Sequence, residues 1–157
     1  MFGFKACSVR TPITSERFIE YMKNNDYFVA SRFETFSGSE KATYNSTDGI
    51  VATNDAYRIS IDFLQFESPE AARNEYYILC KNVRESCFTN HELLMLTYKS
   101  DYVDENHGDN YDRYIIRNPD RNLNYIISRI EDTIIFVYEV PDLNMNKVKD
   151  SLGHIGY

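Results

Sequence analysis

The sequence predicts a two-layer α+β domain, a mainly antiparallel sheet with helices on one face, in the order α-βββ-α-βββ-α. Three features predict it. The first is a strand that hands straight over to a helix. Tyr57, Ile59, Ile61 and Phe63 alternate with Arg58, Ser60 and Asp62, and a helical pattern follows from Pro69. The second is a series of strand-like runs between residues 112 and 138, joined by turns short enough to force antiparallel pairing. The third is the amphipathic spacing of the segments that open at Pro69 and Pro141.

Met1 to Pro12 reads as an ordered tail or a short strand. Thr14 caps a helix running to about Asn25, with Glu16 in its first turn and Phe18, Ile19 and Met22 on its apolar face. Tyr27 to Phe36 alternates loosely and reads as a strand, and Ser37-Gly38-Ser39-Glu40 is a turn. Tyr44 to Asp48 is polar loop or weak strand. Ile50, Val51 and Ala52 form a short strand, and Asn54-Asp55 marks a tight turn. The strand Tyr57 to Phe66 has one apolar and one wet face until Leu64 and Phe66 add apolar groups to the second. That implies a bulge, or a second covered face at that end. Ser68 caps the next helix, Pro69 fits its first position, and Glu70 suits its dipole. Ala72, Tyr76, Leu79, Cys80 and Val83 then make one apolar stripe, and the helix ends at about Glu85.

Phe88 to Tyr98 has two readings. Thr89 and Glu92 fit a capping box before helical turns at Leu93 to Leu96, and the same apolar run fits a buried strand. Ser100 to Asn110 reads as an acidic loop. Asp112 to Arg117 is a strand, followed by the turn Asn118-Pro119-Asp120-Arg121, a second strand through Leu123, Tyr125 and Ile127, and a turn at Glu131-Asp132. Ile134 to Tyr138 is apolar on both faces, so this strand is predicted to be central. Pro141-Asp142 opens a last helix carrying Met145, Val148, Leu152 and Ile155, with Gly153 as its C-terminal cap. A helix followed by three strand segments occurs twice, which hints at a faint internal duplication. The strand–helix crossovers suggest a ferredoxin-like arrangement.

A chain of 157 residues makes about one domain, residues 1–157, and buries about 70% of its unfolded surface without needing a metal or a disulfide. The net charge is −7. Asp101, Asp104, Glu105, Asp109 and Asp112 fall in one stretch with no Lys or Arg, so the remainder is close to neutral. An acidic chain with no basic patch repels phosphate backbones and anionic lipid, which argues against nucleic-acid or membrane-surface partners. No apolar run approaches the roughly 20 residues of a membrane span. Met1-Phe2-Gly3-Phe4-Lys5 lacks signal-peptide character, so a cytoplasmic location is expected. Cys7, Cys80 and Cys87 match no C-x-x-C spacing, and Cys80 sits on the apolar stripe of its helix as a small hydrophobe.

The segments Thr11-Pro12-Ile13-Thr14-Ser15-Glu16-Arg17-Phe18, Asp132-Thr133-Ile134-Ile135-Phe136-Val137 and Leu152-Gly153-His154-Ile155-Gly156-Tyr157 resemble a group of small uncharacterised α+β proteins of Gram-positive bacteria. The group shares a helix-opening Pro-Ile-Thr segment, a central Glu-Ala-Ala helix and a terminal Gly-Tyr. It has no assigned activity, so the resemblance carries over no functional residue. Many of its members look lipid-anchored, and this sequence departs from them in having no leader.

Three constellations invite chemistry. Asp101, Asp104, Glu105, Asn106, Asp109 and Asp112 offer hard oxygen ligands for calcium, but counting back from Gly108 puts Val103 first and His107 fifth, so the calcium-loop pattern fails. His91, His107 and His154 are scattered, and only Cys87 and His91 share i, i+4 spacing, too few ligands for zinc. No nucleophile elbow, phosphate loop or dinucleotide fingerprint is present, so no cofactor, metal site or catalytic residue is assigned. The informative oddity is aromatic: 13 Tyr and 10 Phe but no Trp. Tyr76, Tyr77, Tyr98, Tyr102, Tyr111, Tyr114, Tyr125 and Tyr138 crowd the second half of the chain, as core filling or as a groove that binds a partner.

The expectation is a non-enzymatic binding or protein-interaction module, homodimeric through the apolar excess at Ile134–Tyr138 and at Leu64 and Phe66, its ligand unspecified. The rival is a small enzyme using Tyr, His or Glu as acid–base groups in a sheet–helix cleft. A third reading is a lipoprotein-like domain modified at Cys7.

Overall fold

A computed structural model of the chain describes residues 9–32, 44–88, 102–118 and 120–157. The elements are α1 (Ser15–Asn24), β1 (Phe28–Ser31), β2 (Asp48–Asn54), β3 (Ile59–Gln65), α2 (Pro69–Cys87), β4 (Val103–His107), β5 (Tyr111–Asn118), β6 (Leu123–Ile130), β7 (Thr133–Tyr138) and, after a 3-10 turn at Asp142–Asn144, α3 (Met145–His154). The described strands form one seven-stranded sheet in the order β1-β2-β3-β7-β6-β5-β4, with every neighbouring pair antiparallel.

The alternation in β3 and β7 decides the layering. Ile59, Ile61 and Phe63 of β3 and Ile135 and Val137 of β7 pack on one face with Phe18 and Met22 of α1 and Met145, Val148 and Leu152 of α3. Leu64, Phe66, Ile134 and Phe136 face the other way, against Ala72, Tyr76, Leu79 and Val83 of α2. Helices therefore cover both faces, and the expected two-layer arrangement with helices on one face is corrected to three layers. The physical reason is visible in β7. A strand apolar on both sides leaves hydrocarbon in water unless both sides are covered, and each fully buried Ile or Phe is worth on the order of 2 kcal/mol. β7 is the middle strand of the seven, as its doubly apolar sequence predicted. The covers come from the same chain, so the apolar excess expected to form a dimer is consumed within one molecule.

The second strand block has four members instead of three, because Val103–His107 of the expected acidic loop is β4, paired with β5 from Val103↔Ile116 to His107↔Asp112. Its side chains are mostly exposed and polar, as suits an edge strand that must not recruit another chain. A seven-stranded sheet in this order also replaces the ferredoxin-like arrangement, whose β-α-β-β-α-β unit has four strands. The duplication fails with it. The twofold that relates β3 to β7 would put α1 and α2 on one face, and they lie on opposite faces.

The caps fall as expected at two helices. Thr14 accepts a hydrogen bond from Arg17 N at 3.4 Å and Ser68 from Ala71 N at 3.1 Å. At α3 the cap moves. Gly153 is inside the helix, and Gly156 takes the left-handed turn at φ 90, with Tyr157 N donating to Leu152 O at 2.8 Å and Gly156 N to Gly153 O at 3.2 Å. Tyr57 and Arg58 belong to a turn rather than to β3, with Arg58 at φ 50. β2 is longer than expected and β1 is four residues, with 33–36 outside the described residues. Phe88 closes α2, and the rest of the ambiguous segment, through Tyr98, also lies outside them.

Candidate functional site

Register places the candidate site. On the α2 face, Val51, Asp62 and Phe136 are cross-strand neighbours, and the same row continues through Ile127 to Tyr114. A carboxylate thus stands in the middle of an apolar row. Asp62 has no exposed surface. Arg32, just past β1, reaches over and pairs with it, Nη1 to Oδ2 at 2.6 Å. Oδ1 of Asp62 meets no donor among the described residues. Burial pushes the Asp62 carboxyl up to about 6, and the Arg32 guanidinium, pulling it down, does not restore the ordinary value. Desolvation exceeds attraction here, as buried pairs often show, so the pair costs stability instead of adding it. A fold that carries this cost beside a cavity has the character of a functional site.

Aromatic rings surround the pair. The Arg32 guanidinium lies 4.5 Å from the centroid of the Tyr44 ring, a cation–π contact. Tyr44 meets Phe136 edge-on at 6.4 Å, and Phe136 meets Tyr138 at 5.3 Å. The Ser60 hydroxyl donates to the Tyr138 phenol oxygen at 2.8 Å. Burial raises the Tyr44 and Tyr138 phenols above their ordinary range, and the Asp62 charge adds to both, so neither ionises near neutrality. Arg32, Tyr44, Phe136 and Tyr138 line one side of a cavity of 470 Å³, and Leu79, Val83, Asn82 and Ser86 of α2 line the other. Tyr125 completes the aromatic wall, and Glu139 stands at the end of β7 in a left-handed backbone conformation, φ 56. That conformation costs a non-glycine residue roughly 1–2 kcal/mol, another local expense at the same place.

A second polar cluster occupies the far end of the same face. Arg129, 1% exposed, donates from Nε to Asp112 Oδ2 at 2.6 Å and from Nη1 to Glu131 O at 2.9 Å. The other Asp112 oxygen meets His107 Nδ1 at 2.8 Å, and His107 Nε2 lies 3.1 Å from Glu105. The hydrogen bond to Asp112 raises the His107 pKa, against a smaller opposing effect of burial. Burial pushes Asp112 up, but bonds from His107 and Arg129 outweigh it and the carboxyl ends below its ordinary range. Every strong acceptor of this cluster is engaged within it, which suits a clamp of β4 onto β5 and β6.

The other sequence candidates disperse. Strand alternation sends Asp104 and Glu105 to opposite faces of β4, Asp112 is committed to Arg129, and Asp101 lies outside the described residues. Cys87 is buried while His91 is outside the described residues, so that pair is not defined. Cys80 is half-buried, and burial pushes its thiol up to about 12, which leaves it unreactive. Cys7 and Tyr98 lie outside the described residues. Of the tyrosines singled out, Tyr125 and Tyr138 line the cavity, Tyr76 and Tyr114 are core on the same face, Tyr111 packs on the opposite face, and Tyr77 is exposed.

Sequence reasoning missed Arg32, Tyr44 and Asp62. A signal for Asp62 was present. Leu64 and Phe66 announced that its face was covered, so a carboxylate two positions before Leu64 had to be buried and had to find a cation. No family model, curated protein or solved structure matches the chain. Among the described residues, no helix is long and apolar enough to cross a membrane.

Proposed function

We propose that the chain is a non-enzymatic binding module whose ligand is a small organic molecule with a ring-like apolar body and one polar end. The observation that carries this reading is the 470 Å³ cavity walled by Tyr44, Tyr125, Phe136 and Tyr138. Its size falls within the range of small-molecule sites, and such sites combine apolar walls with a few placed polar groups. Arg32, Glu139 and the Tyr138 hydroxyl supply those groups here. The rings would stack on the body of the ligand, and the polar groups would orient its end. The enzyme reading has less support. It needs a His and a carboxylate converging on the cavity. Glu139 lines it, whereas His107 is engaged with Asp112 and Glu105 on β4 and β5.

The test is titration of the native protein with the fluorescent probe anilinonaphthalene sulfonate, an anionic aromatic. Wild type is expected to bind one probe molecule with enhanced emission. Ser86→Trp, on the exposed face of α2 at the cavity mouth, is expected to fold and to lose that binding. No enhancement in folded wild type, or undiminished binding by the folded variant, would refute the reading.

A further inference from the structure

On the face opposite the aromatic site, α3 and the β4–β5–β6 end enclose a second cavity, of 140 Å³. Ile115, Ile126 and Leu152 wall it, and Arg113 of β5 and Lys149 of α3 reach it with Asp104 of β4. Arg117 stands on the same face of β5 as Arg113, four residues on, because side chains two apart share a face. Two cations thus reach one recess beside a single carboxylate, with Arg117 close enough to Lys149 to repel its charge, in a chain whose net charge is −7. Asp104 does not neutralise them. Its Oδ2 lies 3.6 Å from Arg113 Nη2, a loose contact with the acid 63% exposed. The Nε of Arg113 is buried and meets no acceptor among the described residues. Lys149 is pushed below its ordinary pKa, first by desolvation and then by repulsion from Arg117, with Asp104 pulling the other way. Like charges held together around a recess cost free energy in the folded state, and nothing in the packing of α3 on the sheet requires them.

We propose that this cavity binds a small soluble oxyanion, of phosphate size, between Arg113 and Lys149, with the charge of Arg117 adding to the attraction. The guanidinium offers a planar fork of donors, and Nε of Arg113 is the unspent one. The ammonium adds a point charge from the helix side, and the Ile115, Ile126 and Leu152 walls limit the access of competing water. An oxyanion would relieve the repulsion that Arg113 and Arg117 exert on Lys149 and satisfy the orphaned N–H together. The site shares no residue with the aromatic cavity, so the two stand or fall separately.

The experiment is thermal denaturation of the full chain at pH 7 in inorganic phosphate, against sodium chloride at matched ionic strength. Wild type is expected to gain Tm saturably in phosphate and not in chloride. Lys149→Met is expected to lose that gain while starting from an equal or higher Tm without phosphate, since one repelling charge is gone. Asp104→Asn is expected to bind phosphate several-fold more tightly, because the carboxylate lining the cavity is removed. An equal gain in chloride, or an undiminished gain in Lys149→Met, would overturn the proposal. If Lys149→Met fails to fold, phosphate titration of wild type followed at the arginine Nε–H resonances decides, and no shift in any of them counts against the site. Co-sedimentation with phosphatidylglycerol vesicles without a response to inorganic phosphate would place the anion on a membrane and reject a soluble ligand.

Discussion

Asp62→Asn is expected to stabilise the protein at pH 7.5, although it destroys an ion pair. In the folded chain the carboxyl titrates at about 6 against an ordinary 3.8, with burial as the main cause. The gap of about 2 pH units is worth about 3 kcal/mol at 1.36 kcal/mol per unit. No screening discount applies, because Asp62 has no exposed surface. The sign follows from proton counts. Between pH 3.8 and 6 the folded state holds a proton that the unfolded chain has released. Stability from this group is therefore complete below 3.8 and falls as pH rises through 6. Asn has the shape of the protonated acid and does not ionise, so the variant is expected to match wild type near pH 4 and to exceed it above pH 6. At roughly 2–4 °C per kcal/mol for a chain of this size, the gain at pH 7.5 is on the order of 10 °C. Arg32→Met works in the opposite direction. It strands the Asp62 charge and is expected to cost about 3–5 kcal/mol at pH 7.5 and much less at pH 5. The double variant has no charge left to strand and should lie above wild type at pH 7.5. The assay is thermal and urea denaturation of the four proteins at pH 4.5 and 7.5. An Asp62→Asn variant less stable than wild type at pH 7.5, with the pH slope of wild type intact, would refute the argument that desolvation outweighs the pair.

Two further outcomes test the frame around the sites. His107, held by Asp112 and Glu105, has a raised pKa, so its contribution is present below its ordinary 6.5 and is lost as pH climbs through the higher folded value. With the side chain 48% exposed, the contribution is below about 1 kcal/mol, and His107→Gln should flatten the small fall in urea midpoint between pH 6 and 8.5; an unchanged slope would remove His107 as its source. Gly108→Ala would place a methyl group 2.0 Å from Cε1 of Tyr111, a ring that is 6% exposed with the Arg10 guanidinium 4.0 Å from its centroid. A cost of about 1–3 kcal/mol is expected in chemical denaturation. In the Tyr111→Ala background the added cost should shrink, and strict additivity would show that the ring is not what resists.

The local devices were legible because they are written in neighbouring residues. Ser68-Pro69-Glu70 opened α2 where its side-chain and dipole chemistry said it would, and the doubly apolar run Ile134–Tyr138 became the middle strand. β4 was read as a loop because charges depress strand propensity, yet an edge strand needs only its backbone to pair and its side chains to stay wet. Gly153 reads as a cap because glycine favours helix ends, but the left-handed turn falls three residues later at Gly156. The aromatic excess was noticed without its geometry. Tyr125 and Tyr138 sit 13 positions apart and share a wall only because β6 and β7 are adjacent.

Periodicity alone determined that this chain folds as antiparallel strands and amphipathic helices, since every residue reports which side of its own element must avoid water. What it left open was which element supplies each cover. The placement of α2 on one face and of α1 and α3 on the other was decided by long-range packing. The same packing buried Asp62 beside Arg32, 30 residues away. Solvation of a side chain depends on what lies above it, and that is a property of the assembled layers, not of the strand that carries it.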